Sequence, residues 1–266
     1  MGAPRTFRKY EGLGNDFILF ETDDPAALTP EEAARLCDRR FGVGADGVLL
    51  VLPPRPGAAP AGSVRMRVLN ADGSIPEMCG NGVRCVAVHV ATKRAAIEGV
   101  VHVETDAGDR ACVVEAGGMV TVDMGVVRTL GERTVEVEGK PVVVALADAG
   151  NPHAVLFGAF ARGDVEHLGP RLATHAAFAR GTNVEFACVQ GDGIDLVVWE
   201  RGVGITMACG TGACATVAVA TAKSLVPRGR PVAVHLPGGR LDVTLDADGR
   251  AHMRGPARHV YSGTLA

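Results

Sequence analysis

A chain of 266 residues, 47% hydrophobic and 21% charged, has room for two domains with separate cores and the composition of a soluble globular protein. A formal net charge of −3 leaves no basic footprint, so no nucleic-acid partner is expected. With no apolar run of about 18 residues and no signal-peptide core, neither membrane insertion nor secretion is expected, and the seven cysteines read as reduced thiols in the cytoplasm.

In chain order, Thr6 to Tyr10 reads as a strand, Glu11 to Asp16 as a polar loop and Phe17 to Glu21 as a second strand. The first six residues formally fit a myristoylation pattern, but no polybasic segment follows, and the match is read as accidental. Thr29-Pro30-Glu31-Glu32 starts a helix with a capping box, running to about Arg40. Val48 to Leu52 is a strand, Pro53 to Gly62 a solvent loop, and Val64 to Leu69 a strand leading to Cys79 and a helix over Val83 to Ala96. Gly99 to Thr105 and Ala111 to Glu115 form a hairpin around Gly108-Asp109, and Gly117-Gly118 marks a boundary.

Beyond it, strands are expected near Met119 to Met124, Arg133 to Val137, Val142 to Ala147 and Ala154 to Phe157. A helix over Asp164 to Phe178 should be interrupted near Gly169-Pro170. Val184 to Val189 and Ile194 to Trp199 are strands, followed by Cys209 and a helix over Ala213 to Ser224. Three closing strands lie near Val232 to Leu236, Arg240 to Leu245 and Arg250 to Met253, and His259-Val260-Tyr261 returns to the first half. The expected halves are residues 1–117, joined by the tail 255–266, and residues 118–254. The fold class is α/β of the α+β type, with mixed, mostly antiparallel sheets.

The chain repeats itself. Cys79-Gly80-Asn81-Gly82 and Cys209-Gly210-Thr211-Gly212 each stand ahead of a helix rich in alanine and valine. Asn70 and Glu200 precede these cysteines by the same spacing, each closing an apolar strand (200 − 70 = 209 − 79). Gly14-Asn15-Asp16-Phe17 is matched by Gly150-Asn151-Pro152-His153, and Gly44-Ala45-Asp46-Gly47 loosely by Gly181-Thr182-Asn183-Val184. Four landmarks in one order indicate a diverged duplication. A helix N-terminus binds anions and favours the thiolate of a cysteine seated there, so each copy reads as a thiol beside a carboxylate cradle. Inverting a carbon through a planar carbanion needs a base on each face, and a duplication supplies two coupled thiols.

Other motifs carry less. Gly42-Val43-Gly44-Ala45-Asp46-Gly47 has dinucleotide-fingerprint spacing, but a helix precedes and a strand follows it, the reverse of what that site needs. The cysteine spacings and unpaired histidines do not suit zinc, none of the four lysines has a pyridoxal-phosphate context, and no metal or cofactor is expected. Cys37, Cys85, Cys112, Cys188 and Cys214 read as inert thiols. A dithiol redox protein and a non-catalytic amino-acid binder are the other classes; the first leaves the cradles unexplained and the second needs no cysteines.

Gly12-Leu13-Gly14-Asn15-Asp16-Phe17, Asn70-Ala71-Asp72-Gly73-Ser74, Gly150-Asn151-Pro152-His153, Gly181-Thr182-Asn183, Glu200-Arg201-Gly202 and the two cysteine loops together resemble diaminopimelate epimerase. The resemblance spans nearly the whole chain. It implies a pyridoxal-independent isomerase interconverting LL- and meso-2,6-diaminopimelate in lysine and peptidoglycan-precursor synthesis, with two pseudo-symmetric domains, each a curled sheet around a central helix. It implies Cys79 and Cys209 as the acid/base pair, assisted by His153, with Glu200 near the α-ammonium. Gly80, Asn81, Gly210 and Thr211 would hold the α-carboxylate. Asn15, Asn70, Asn151, Asn183 and Arg201 would line the pocket, with Arg201 on the distal carboxylate. A homodimer is expected. Gly47 replaces a glutamine of some members, and Ile205 and Met207 replace polar residues of many, which affects positioning rather than the reacting groups. A proline-type racemase of the same fold is the alternative enzyme, disfavoured by Arg201 and the four asparagines.

Overall fold

The computed structural model describes residues 5–57, 60, 62–95 and 98–265. Met1 to Pro4 of the myristoylation-like start, Ala58, Ala59 and Ala61 of the expected loop, Ala96 at the expected end of the first cysteine helix, and Ala266 of the tail lie outside the described residues. The chain divides into two compact units, Met1–Val122 with Gly255–Ala266, and Asp123–Arg254. The first unit thus extends past Gly117-Gly118 to Val122.

The first unit opens with β1 (Arg5–Gly12), β2 (Asn15–Glu21), α1 (Pro30–Cys37), β3 (Gly47–Leu52) and β4 (Val64–Asn70). It continues through α2 (Gly80–Lys93), β5 (Gly99–Thr105), β6 (Gly108–Val114) and β7 (Met119–Val126), the last running on into the second unit. That unit contains β8 (Arg128–Val137), β9 (Lys140–Asp148), β10 (Pro152–Phe157), α3 (Arg162–Ala173), β11 (Asn183–Gln190) and β12 (Gly193–Glu200). It is completed by β13 (Gly204–Ile205), α4 (Gly210–Ala222), β14 (Val232–Leu236), β15 (Gly239–Leu245) and β16 (Arg250–Pro256), and β17 (Arg258–Leu265) belongs to the first unit.

Strand pairing shows the duplication. In the first unit β2 lies parallel to β3 across α1, β3 antiparallel to β4, and β4 parallel to β5 across α2. In the second, β10 lies parallel to β11 across α3, β11 antiparallel to β12, and β12 parallel to β14 across α4. The remaining hairpins are antiparallel, and β17 pairs antiparallel with β1, closing the first unit with the C-terminal tail.

The helix α2 contacts β1 through β6 and β17, while α4 contacts β8 to β11 and β15, so each is the centre of its unit. Both are buried over most of their length, with Val88 of α2 and Thr211 of α4 half-buried. Valine is only a moderate helix former, so burial of the valine faces adds to what the alanines supply by propensity in holding these helices. Separate apolar clusters lie over the outer helices: Phe7, Ile18, Phe20, Val48 and Leu50 with Ala33 and Cys37 of α1, and Val144, Leu156, Val184 and Phe186 with Val165 and Leu172 of α3.

Several boundaries differ from expectation. The cysteine helices begin at Gly80 and Gly210, three residues early, because each cysteine is itself the N-cap. They end at Lys93 and Ala222, where Ala95 and Ser224 turn into the left-handed region at φ 54° and 59°. The capping box of α1 is formed as expected, but the helix stops at Cys37, where the Asp38 carboxylate accepts from the N–H groups of Arg40 and Phe41 instead of letting them join the helix. Pro170 does not interrupt α3, which ends at Ala173, well short of Phe178.

Candidate active site

Cys79 and Cys209 occupy equivalent backbone positions. Their φ/ψ values are −136°/111° and −123°/110°, and each Sγ accepts from an N–H of its helix's first turn, Gly82 or Gly212, at 3.4 Å. Each thiol sits at a helix start, with its backbone donors and positive partial charge, the setting that stabilises a thiolate. Their surroundings differ.

In the first unit Cys79 is partly exposed. Behind it, the Asn81 amide donates to Asn15 Oδ1 at 2.8 Å and Asn81 Oδ1 accepts from the fully buried Arg84 at 2.9 Å. Asn15 Nδ2 reaches Asp46 at 3.2 Å, and Asp46 also accepts from Arg39. Arg39 grips Asp16 through two bonds of 2.6 and 3.1 Å, while Lys9 adds an ion pair of 2.7 Å. Burial works against ionising Asp16, yet these two cations outweigh it and hold its carboxyl down at about 2. Asn70 closes β4 and donates to Ser74 at 2.9 Å. The first-unit asparagines therefore brace the loops around Cys79.

In the second unit Cys209 is 6% exposed. Its Sγ lies 3.5 Å from Thr211 Oγ1, and Glu200, whose charge acts on the thiol, accepts from Thr206 Oγ1 at 2.6 Å. His153 is fully buried and engaged at both ring nitrogens, Nδ1 with Glu185 at 2.7 Å and Nε2 with Asn151 Oδ1 at 2.8 Å. Asn183 donates to the Pro152 carbonyl and accepts from the Arg201 backbone N–H, at 3.2 and 2.9 Å. Burial, and then the charges of Glu200 and Glu185, push the Cys209 thiol well above its ordinary value. Burial also raises Glu185 and Glu200.

The structure gathers His153, Asn151, Asn183, Glu200, Gly210 and Thr211 around Cys209, and Gly80, Asn81 and Asn15 around Cys79. Arg201 is exposed, its guanidinium donating to the Arg180 carbonyl at 2.6 Å. At Gly47 a Cβ would meet the Leu69 carbonyl oxygen at 3.0 Å, so a side chain there requires a backbone shift. Ile205 packs on the α3 cluster and Met207 is exposed.

Sheet register corrects one repeat match. Phe17 pairs with Gly47 and His153 with Asn183, so Asn183 corresponds to Gly47, one residue on from Asp46 (153 − 17 = 183 − 47). The sequence reading also passed over three residues: Arg84, Asp46 and Glu185. Glu185 carried a readable signal, a carboxylate inside an apolar strand and in alternation with Asn183, hence on the same face.

The sequence profile of the family described as diaminopimelate epimerase matches residues 7–130 and 145–260. The chain is 43% identical to the diaminopimelate epimerase of Synechococcus sp. (strain JA-3-3Ab), with 100% of both chains covered. It is also 43% identical to that of Synechocystis sp., over 97% of this chain and 98% of the relative. Among solved structures, a hydroxyproline epimerase from Agrobacterium vitis shares the fold at a TM-score of 0.76, with 18% identity over 99% of this chain and 92% of the other.

Proposed function

The chain belongs to the diaminopimelate epimerase family, and from that premise we propose that it interconverts LL- and meso-2,6-diaminopimelate with Cys79 and Cys209 as its two proton carriers. The observation that carries this reading is the matched N-cap geometry: two thiols, each 3.4 Å from an N–H of a buried helix's first turn.

In each direction one cysteine, as thiolate, takes the α-proton, and the electron pair left on carbon delocalises into the α-carboxylate. The other cysteine delivers its S–H proton to the opposite face, leaving that sulfur as the thiolate. Backbone N–H groups at the helix starts, Gly80-Asn81 and Gly210-Thr211, would stabilise the charge building on the carboxylate. Glu200 would receive the α-ammonium, and His153 would assist through its place beside the Cys209 site. Asn15, Asn70, Asn151 and Asn183 would frame the pocket, since their amides are engaged with neighbouring protein groups. Arg201 would meet the distal carboxylate by exchanging its bond to the Arg180 carbonyl for a bidentate one. Seven free thiols support a cytoplasmic setting, and exposed Val260 and Tyr261 on β17 support a homodimer, which light scattering would test. Among the described residues no helix is long and apolar enough to cross a membrane.

The test is epimerisation of LL-diaminopimelate by purified protein in heavy water with no added cofactor. Early product should carry deuterium at the inverted carbon while unreacted substrate carries almost none. Cys79→Ala and Cys209→Ala should each abolish turnover. Substantial epimerisation by either variant, or abundant original hydrogen in the first product, would sink the two-thiol mechanism.

A further inference from the structure

Two halves copied from one ancestor should place the same groups beneath both cysteines, and here they do not. Register fixes the correspondence: Leu19 pairs with Leu49 and Val155 with Glu185, so Glu185 stands where the first unit has Leu49 (155 − 19 = 185 − 49). By the same offset His153 stands where the first unit has Phe17; at the end of the neighbouring strand, Glu200 stands where it has Asn70, by the offset of the two cysteines (200 − 70 = 209 − 79). The layer beneath α2 is therefore uncharged at all three positions, while that beneath α4 holds two carboxyls and an imidazole.

The glycine of each first turn shows how close these groups come. A Cβ on Gly82 would meet Leu49 Cδ2 at 3.0 Å, whereas a Cβ on Gly212 would meet Glu185 Oε1 at 3.0 Å and Cys209 Sγ at 3.3 Å. Thiol and carboxylate thus flank one point at the start of α4. Glu185 is fully buried and fixed by its 2.7 Å contact to His153, and its second oxygen, Oε2, is buried without a hydrogen-bond partner.

We propose that Glu185 is a positioning residue that makes the two half-sites unequal: it anchors His153 beneath α4 and, with Glu200, keeps Cys209 as the thiol in the free enzyme, so that Cys79 carries the resting thiolate. This rests on the reading of Cys79 and Cys209 as the acid/base pair.

Charge decides the assignment. Three groups at the α4 site become anions on ionising, Cys209 at the N-cap of α4, Glu185 on β11 and Glu200 on β12, and His153 on β10 faces them. A thiolate at Cys209 would place a further negative charge beside two carboxyl groups, one of them fully buried, where like charges repel strongly. Cys79 has the same N-cap geometry, with Leu49, Phe17 and Asn70 at the three equivalent positions. Binding of the substrate ammonium beside Glu200 would then relieve the excess and let Cys209 cycle through its thiolate during turnover.

The experiment titrates thiolate absorbance in the ultraviolet, independently of any epimerase assay, so its failure is separable from a failure of the reading beneath it. Burial holds Cys37 at about 11 and also raises Cys85, which keeps both silent near neutrality. In the full-length protein, Cys79→Ser should remove the near-neutral thiolate signal and Cys209→Ser should retain it; the reverse result overturns the proposal. In the Cys79→Ser background, adding Glu185→Gln should lower the ionisation midpoint of Cys209 by about one pH unit, removing one like charge, while Glu185→Asp leaves it near its original value. An unchanged or raised midpoint with Glu185→Gln removes Glu185 from this role. Should that variant not fold, the comparison of Cys79→Ser with Cys209→Ser still decides where the resting thiolate lies.

Discussion

Gly212 lies between Cys209 and a carboxylate that His153 holds in place, so the contact a methyl group would make with Glu185 at 3.0 Å has little room to relax. At Gly82 the equivalent contact is the end of the Leu49 side chain, which can turn away. Gly212→Ala should therefore lower kcat by about tenfold or more, through displacement of the thiol, and Gly82→Ala should cost much less; equal losses in steady-state assays would contradict this. Asp16 makes a second residue-scale case. Its folded value of about 2 lies below the ordinary 3.8 because Arg39 and Lys9 overcome the cost of its burial. A depressed acid contributes stability that is present above the unfolded value and lost as pH falls through the folded one. Urea midpoints of the native protein should thus drop between pH 3.8 and about 2, and Asp16→Asn should flatten that part of the profile.

At the scale of elements, each site is held by a strand end and a helix start. α3 shows how tightly the supporting layer is built: a Cβ on Gly169 would lie 2.7 Å from the Trp199 ring, on the strand that ends in Glu200. Alanine in a helix gains about 1 kcal/mol over glycine, but overpacking a rigid aromatic costs about 1–3 kcal/mol, so the steric term should win. Gly169→Ala is expected to lose on the order of 1 kcal/mol in urea denaturation, with KM affected through Glu200. A stabilised variant would show that the α3 to β12 contact is loose.

For the whole molecule, the charged layer beneath α4 exchanges stability for chemistry. Burial raises Glu185 above its ordinary value of 4.5. A raised acid contributes stability fully present below the unfolded value and lost as pH rises through the folded value, because the unfolded chain ionises where the folded chain resists. The native urea midpoint should therefore fall between pH 4.5 and neutrality by more than that of Glu185→Gln, and parallel profiles would contradict this. The first unit, with Leu49 and Phe17 in the equivalent layer, carries no such cost.

The duplication, the order of strands and helices, and the two cysteine loops were legible in the sequence because they rest on local chemistry: glycine beside cysteine, alternating apolar strands, a capping box at Thr29. The family resemblance followed from the same short motifs. What stood beneath those motifs was not legible. Glu185 reads as one carboxylate in an apolar strand until parallel pairing sets it one strand from His153 and packing sets it against Gly212. Likewise Arg84 is one cation in a valine-rich helix until its burial behind Asn81 is seen. Pairing register and desolvation are properties of residues brought together from distant parts of the chain, and the tertiary structure alone made two near-identical loops chemically different.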